Sequence, residues 1–219
     1  MSKWEAEIEH DLSWREAEMG TLKLLLAASP SGSDRQRALL RACSAMLYAH
    51  YEGFCKFCWT TLLDTIQKQS PVRSDLVESL AKRAMESVFR KLRGDTSIEN
   101  LWRFCSDDFT KELAKKANFP EEIDTKSNLW PSLSAEINAS VGLACPLLLA
   151  HSDRIKQLVG RRNKIAHGEK LEIASIAKFQ EVEHSAVLVM HELAITVVTC
   201  LDQKDYLVPC APPAAVIQI

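Results

Sequence analysis

From about residue 34 to residue 69 the chain carries no proline, and its apolar residues return with a period near 3.6. Leu39, Leu40, Cys43, Met46, Leu47, Tyr51, Phe54, Cys58, Leu62 and Ile66 fall on that spacing, and Pro71 ends it. Such a period lines one face of an α-helix and no other regular structure. A helix this long cannot bury its face alone, so it demands helical partners of similar length. The chain supplies them. Residues 3–28 space Trp4, Ile8, Leu12, Met19, Leu22 and Leu26 in the same way, and residues 173–203 do so with Ile176, Phe179, Val182, Val187, Met190, Leu193, Val197 and Leu201. With 7 Gly and 8 Pro among 219 residues, too few tight turns are available for an all-β fold. Gly53 sits inside the long helix, where it costs about 1 kcal/mol relative to Ala, so a close approach by another helix is expected there.

The boundaries follow from the breakers. Ser29-Pro30-Ser31-Gly32-Ser33 is a turn, with Ser33 or Asp34 as the cap of the next helix. A charged helix is expected over 74–93, ended by Gly94, and another from about 97 to 118, ended near Pro120. Residues 119–133 read as a loop with Pro120 and Pro131. A short helix begins at Ser134 and fades before Pro146. Ser152 or Asp153 caps a helix through Ala166, and Gly168 stands where a left-handed C-terminal cap belongs. The tail from about 206 to 219, with Pro209, Pro212 and Pro213, reads as extended. The fold expected is an all-α, up-and-down four-helix bundle within one domain over 1–219, carrying an inserted helical region at about 72–146.

Lys and Arg total 27 against 29 Asp and Glu, a net charge of −2, which excludes a globally basic nucleic-acid coat. The first residues resemble neither a signal peptide nor a transit peptide, and no apolar run is expected to reach the roughly 20 residues of a membrane span, since His191 and Glu192 interrupt the longest. A cytoplasmic protein with no membrane partner is the expectation. Seven cysteines, an odd number, suit reduced thiols. Cys55-x-x-Cys58, with His50 nearby, has no second cysteine pair and core-like neighbours in Phe54, Phe57 and Trp59, so neither a metal nor a redox role is expected. His184 and His191 share a helix face without forming an H-E-x-x-H motif, and read as packing residues, and His151 as a loop residue. Arg35, Arg37 and Arg41 form a basic cluster that reads as a solvated face. No glycine-rich phosphate loop is present, and no cofactor is expected.

The densest chemistry lies in Leu158-Val159-Gly160-Arg161-Arg162-Asn163-Lys164-Ile165-Ala166-His167-Gly168, with Arg154, Lys156 and Lys170 alongside. Only Asp153 and Glu169 oppose these cations nearby. Arg offers a planar fork for phosphate, and His a proton donor or acceptor near neutral pH. Taken by composition, such a face is more often simply solvated.

Arg162-Asn163-x-x-x-His167 matches the R-x4-6-H motif of the HEPN superfamily, including the polar residue after the Arg, and falls between the last two helices, where that family carries it. Tyr48-Ala-His50-Tyr51-Glu52-Gly53-Phe54-Cys55-Lys56 resembles the second helix of the RiboL-PSP and MAE-type HEPN families. The N-terminal helix also looks similar, whereas 72–146 resembles no named segment. The resemblance implies a metal-independent endoribonuclease acting on RNA as a homodimer, with Arg/His pairs facing across a shared cleft, in a toxin or antiviral defence setting. An antitoxin or neighbouring defence protein is then a possible partner. By that resemblance Arg162, Asn163 and His167 are catalytic, Arg161 and Lys164 hold the RNA backbone, and Glu52 supports the site or makes a buried ion pair. Residues five apart lie about 140° apart around a helix, so Arg162 and His167 converge only if the helix ends between them or two copies contribute. Glu169 replaces the Tyr that some HEPN toxins carry two residues after the His, which puts regulation through that Tyr in doubt. The alternative is a non-catalytic HEPN module for dimerisation or RNA binding that regulates a partner protein; a plain helical interaction protein is a third reading.

Overall fold

The computed structural model describes residues 2–119 and 122–209. Pro120, Cys210, Pro212 and Pro213, and with them most of the tail, lie outside the described residues.

The first helix, α1 (Lys3–Ala27), starts at a capping box. The Ser2 hydroxyl accepts from the Glu5 amide, and the Glu5 carboxylate accepts from the Ser2 amide. The second, α2 (Asp34–Gln69), is capped by Ser33, whose hydroxyl accepts from the Gln36 amide. It stops at Ser70, in the left-handed region (φ 53°), just ahead of Pro71. Two later helices, α9 (Ser152–Ala166) and α10 (Ile176–Gln203), complete the four-helix core. α2 is its axis and packs on α1, α9 and α10. Tyr51, Phe54, Cys55, Cys58, Trp59 and Leu62 are fully buried along it, and each large apolar side chain so placed contributes roughly 1.5–3 kcal/mol. The sequence periodicity and this packing agree because the buried stripe of α2 is the stripe the spacing defines.

Gly53 is the point of close approach expected of it. A Cβ there would stand 3.0 Å from Arg15 Nη1 of α1. That guanidinium is held by Asp11 (2.7 Å) and lies 4.5 Å over the Trp14 ring.

Between α2 and α9 the structure departs from expectation. A 3-10 turn (Arg73–Asp75) leads into α3 (Glu78–Ala84) and α4 (Glu86–Gly94), so the helix expected over 74–93 is broken at Met85. The next rod runs through α5 (Ile98–Arg103), a π-helical turn (Phe104–Asp108) and α6 (Phe109–Leu113), shorter than the 97–118 expected. Pro131 is not loop: it opens α7 (Pro131–Ser140) at a first-turn position, where its missing N–H costs nothing. A short α8 (Pro146–Ala150), unforeseen, begins on Pro146 in the same way, its Leu147 and Leu148 amides donating to the Glu192 carboxylate. The last helix starts at Ile176, three residues later than the spacing suggested, with the hydroxyl of its N-cap Ser175 accepting from the Lys178 amide.

Among the described residues there is no strand. Two isolated bridges tie Val72 to Lys116 and Leu76 to Leu207. The second draws the start of the tail alongside residues 75–77, with the Val208 amide on the Asp75 carbonyl at 2.8 Å. α10, with mean hydropathy 1.6 over its most apolar window, is long and apolar enough to cross a membrane by length and composition. That corrects the expectation drawn from treating His191 and Glu192 as breaks. Half of the window is buried inside the bundle.

Candidate active site

The site lies at the C-terminal end of α9. Ile155, Leu158 and Val159 bury one side of that helix in the core, and its cationic residues occupy the rest. Its N-cap is His151, not Ser152 or Asp153, and no side chain caps it; His151 Nδ1 lies 3.0 Å from Ser185 Oγ of α10.

The C-terminus is a Schellman turn. Gly168 is left-handed (φ 72°), its amide donates to the Ile165 carbonyl (3.1 Å), and the Glu169 amide donates to the Lys164 carbonyl (2.8 Å). Gly168 supplies the backbone conformation that a Cβ would strain. His167 is therefore the capping residue, its amide still held by the Asn163 carbonyl at 3.0 Å and its ring exposed to solvent. Arg162 lies further back on the helix and is half-buried.

Arg162 is held on three sides. Its Nη1 donates to Asn128 Oδ1 and to Asn163 Oδ1, both at 3.1 Å. Its guanidinium carbon stands 5.0 Å from the Tyr48 ring of α2, a cation–π contact. Both polar partners are amide oxygens, which align the guanidinium without neutralising it.

Tyr48 anchors the arrangement. Its ring is buried, and its hydroxyl accepts from the Leu129 amide at 2.8 Å, fixing the loop that presents Asn128. Burial pushes the phenol up to about 12; the Leu129 amide and Arg162 pull the other way, and Glu52, in hydrogen-bonding range of the hydroxyl, adds to the rise. The phenol is therefore neutral throughout the physiological range.

The structure thus brings Asn163 to Arg162 and Glu52 to the Tyr48 beneath it, adds Tyr48 and Asn128, and leaves His167 at the helix cap five residues on. Tyr48 was visible as the residue one helical turn before Glu52. Asn128 had no signal, because its role depends on a loop folding back over α2.

Arg161 is placed differently from the expectation. It is 7% exposed and its Nη2 donates to the Lys178 carbonyl of α10 at 3.2 Å. Burial, followed by the nearby Arg154, holds its guanidinium below the usual range, with Glu181 opposing. It ties α9 to α10. The R-x4-6-H spacing fits Arg161 as well as Arg162, and packing separates the two: consecutive residues point about 100° apart, one toward α10 and the other toward Tyr48. Lys164 is exposed at the helix end.

The remaining candidates have structural places. Arg41 donates to the Glu169 and Leu171 carbonyls (2.9 and 3.4 Å), bracing the segment after α9. Arg37 binds the Gly32 carbonyl and Asp34. Cys55 and Cys58 are wholly buried, and burial pushes both thiols well up. Among the described residues no group of three or more His, Cys, Asp or Glu could hold a metal ion. His191 reaches Glu16 of α1 at 2.6 Å, while His184 is exposed.

Compared with known families, residues 4–206 match the model of the MAE_28990-like HEPN family. The chain belongs to the HEPN superfamily. The matched range spans the bundle and the inserted region alike. No curated protein and no solved structure matches the chain. HEPN domains are often ribonucleases, and in this HEPN chain the R-x4-6-H residues lie in the last turns of α9 and at its C-cap.

Proposed function

We propose that this HEPN domain is an endoribonuclease that cleaves RNA without a metal, with Arg162 and His167 at its centre. The observation that supports the reading best is the state of Arg162. The guanidinium is half-buried and fixed by a ring and two amide oxygens, with its charge left for an anion. A phosphodiester is the anion that its planar fork fits.

The reaction is attack of a ribose 2′-oxygen on the adjacent phosphorus. The 2′-O–P bond forms, the P–O5′ bond breaks, and the products are a 2′,3′-cyclic phosphate and a 5′-hydroxyl. Arg162 balances the charge gathering on the non-bridging oxygens. The exposed His167 ring takes the 2′-hydroxyl proton or gives one to the departing 5′-oxygen. In a homodimer whose sites share a cleft, the two His167 rings divide these tasks. Asn163 orients Arg162, and Lys164 holds the strand's backbone. A toxin or antiviral effector is the setting this activity suits.

The test is cleavage of RNA in EDTA by the purified chain, beside Arg162→Ala and His167→Ala. Cleavage by the unsubstituted chain alone, leaving cyclic phosphate ends, supports the reading. Equal inertness of all three, or equal cleavage by all three, overturns it.

A further inference from the structure

The tie from Arg161 to α10 uses one end of its guanidinium. Nη2 donates to the Lys178 carbonyl at 3.2 Å, while Nη1, enclosed in a side chain only 7% exposed, has no hydrogen-bond partner among the described residues. A charged donor left unpaired in such a place costs more than a neutral one, and folded chains keep few of them. Arg161 is also the inner wall of a groove of about 500 Å³ between α9, the start of α10 and the segment that joins them. Gly160 and Lys164 form its α9 side, Lys178 its α10 side, and Leu171 and Ile173 its far wall. That wall is fixed in advance, because Arg41 holds the carbonyls of Glu169 and Leu171.

The lining decides what fits. Three cations, Arg161, Lys164 and Lys178, face one acid, Glu172, whose carboxylate lies 3.4 Å from Lys170. Lys178 rests on Glu181 at 2.6 Å, which Arg154 also holds at 2.6 Å. Such surface pairs exchange at little cost. The groove therefore offers surplus positive charge in front of an unpaired guanidinium N–H, which is the chemistry of a phosphate site. Gly160 gives it room. Glycine inside a helix is unfavourable beside alanine, and here no neighbour requires it, since a Cβ would meet nothing within 4 Å. The bare backbone lets an occupant of the groove come close to α9. Gly160, Lys164 and His167 follow one another at four and three residues, one ridge of the helix, so the groove leads along α9 to the exposed His167. Arg162 lies on another side of α9, against Tyr48.

We infer that this groove is a second phosphate site, taking the phosphate of the RNA strand next to the one that Arg162 holds, with Lys164 and Lys178 at its mouth and the Arg161 guanidinium behind them. The inference rests on the reading of Arg162 and His167 as an RNA site. A strand whose reacting phosphate lies at His167 reaches Lys164 one turn back, about 5 Å along the helix axis, and its next phosphate enters the groove.

The test uses the full chain and a fluorescently labelled strand of 2′-O-methyl RNA. No 2′-oxygen attack can cleave that strand, so binding is read whether or not the Arg162 site cuts. Arg161→Ala also unties α9 from α10, whereas Gly160→Glu sends its side chain into open space and leaves helical content unchanged by circular dichroism. Its carboxylate in the groove is expected to weaken binding roughly tenfold or more in fluorescence anisotropy at about 0.1 M salt, and Lys178→Gln to weaken it severalfold. Gly20→Glu makes the same change of charge on α1, where a Cβ also meets nothing. It is expected to bind within roughly twofold of the parent, since salt screens so distant a charge. Binding by Gly160→Glu no weaker than by Gly20→Glu, or a Lys178→Gln chain that binds like the parent, overturns the inference. A free nucleotide is the other source of such a phosphate. If 5′-AMP raises the melting temperature of the parent and not of Gly160→Glu, while both bind the strand equally, the groove serves a free nucleotide and the strand assignment falls. Weaker binding by Gly160→Glu in a chain that cleaves no ordinary RNA supports the groove and overturns the cleavage reading alone.

Discussion

Tyr48→Phe is the sharpest single perturbation of the site. It deletes one oxygen and leaves the ring, so the contact beneath Arg162 and the packing of α2 persist. What it removes is the only acceptor shown for the Leu129 amide, held at 2.8 Å in a place where Leu129 is fully buried. A buried N–H left without a partner costs about 1–3 kcal/mol. For a chain of this size each kcal/mol moves the melting temperature by roughly 2–4 °C, so a fall of about 2–12 °C is expected. Asn128→Ala provides the contrast. Asn128 is half-buried, and its loss removes an aligning amide from Arg162 but exposes no orphan group, so stability changes by less than about 0.5 kcal/mol. Both substitutions are expected to lower RNA cleavage, Tyr48→Phe through the loop and Asn128→Ala directly. Calorimetry at neutral pH with a cleavage assay on the same samples reads both. If Tyr48→Phe melts within a degree of the parent chain, the Leu129 amide is satisfied by other means and Tyr48 is not the anchor.

Three other predictions follow the same reasoning. Arg161→Ala is expected to lose about 1–3 kcal/mol in urea titration by removing the buried side chain and charged hydrogen bond that tie α9 to α10, whereas Lys164→Ala leaves stability unchanged and flattens the salt dependence of RNA binding by about one unit of slope. Burial holds the His50 imidazole below its ordinary value, with Glu18, 2.9 Å from its Nε2, pulling upward and Arg15 downward. The unfolded chain therefore takes up that proton first, and stability falls as pH drops below the unfolded value of 6.5; His50→Gln should flatten the melting curve across that window. Burial raises the thiols of Cys43, Cys55 and Cys58, and those of Cys145 and Cys200 to about 11, so peptide mapping after limited alkylation at pH 8 should find Cys105 labelled before these five.

What could be read early follows periodicity. α1, α2, α9 and α10 each carry a long 3.6-residue apolar stripe, and long stripes average out local exceptions. The inserted region resisted because its helices are short, bury little and take their limits from neighbours. Met85 breaks one helix where its sulfur meets the Arg73 guanidinium, and Pro131 begins a helix rather than ending a loop. A proline is punctuation in either sense, and only the surrounding structure selects which.

The site divides in the same way. Arg162, Asn163, His167 and the terminating Gly168 are contiguous, so their local geometry, a helix ended by a left-handed glycine, was determined by the sequence alone. The choice between Arg161 and Arg162 was not. Both satisfy the spacing, and the decision rests on which side of α9 faces α10 and which faces α2. Tyr48 and Asn128 lie far from Arg162 along the chain, and their contact with it exists only once the bundle has closed. Local propensity and period act over a few turns of chain and could specify the helices and their apolar faces. The burial of one arginine and the alignment of the other depend on contacts between distant segments, which only the tertiary structure decides.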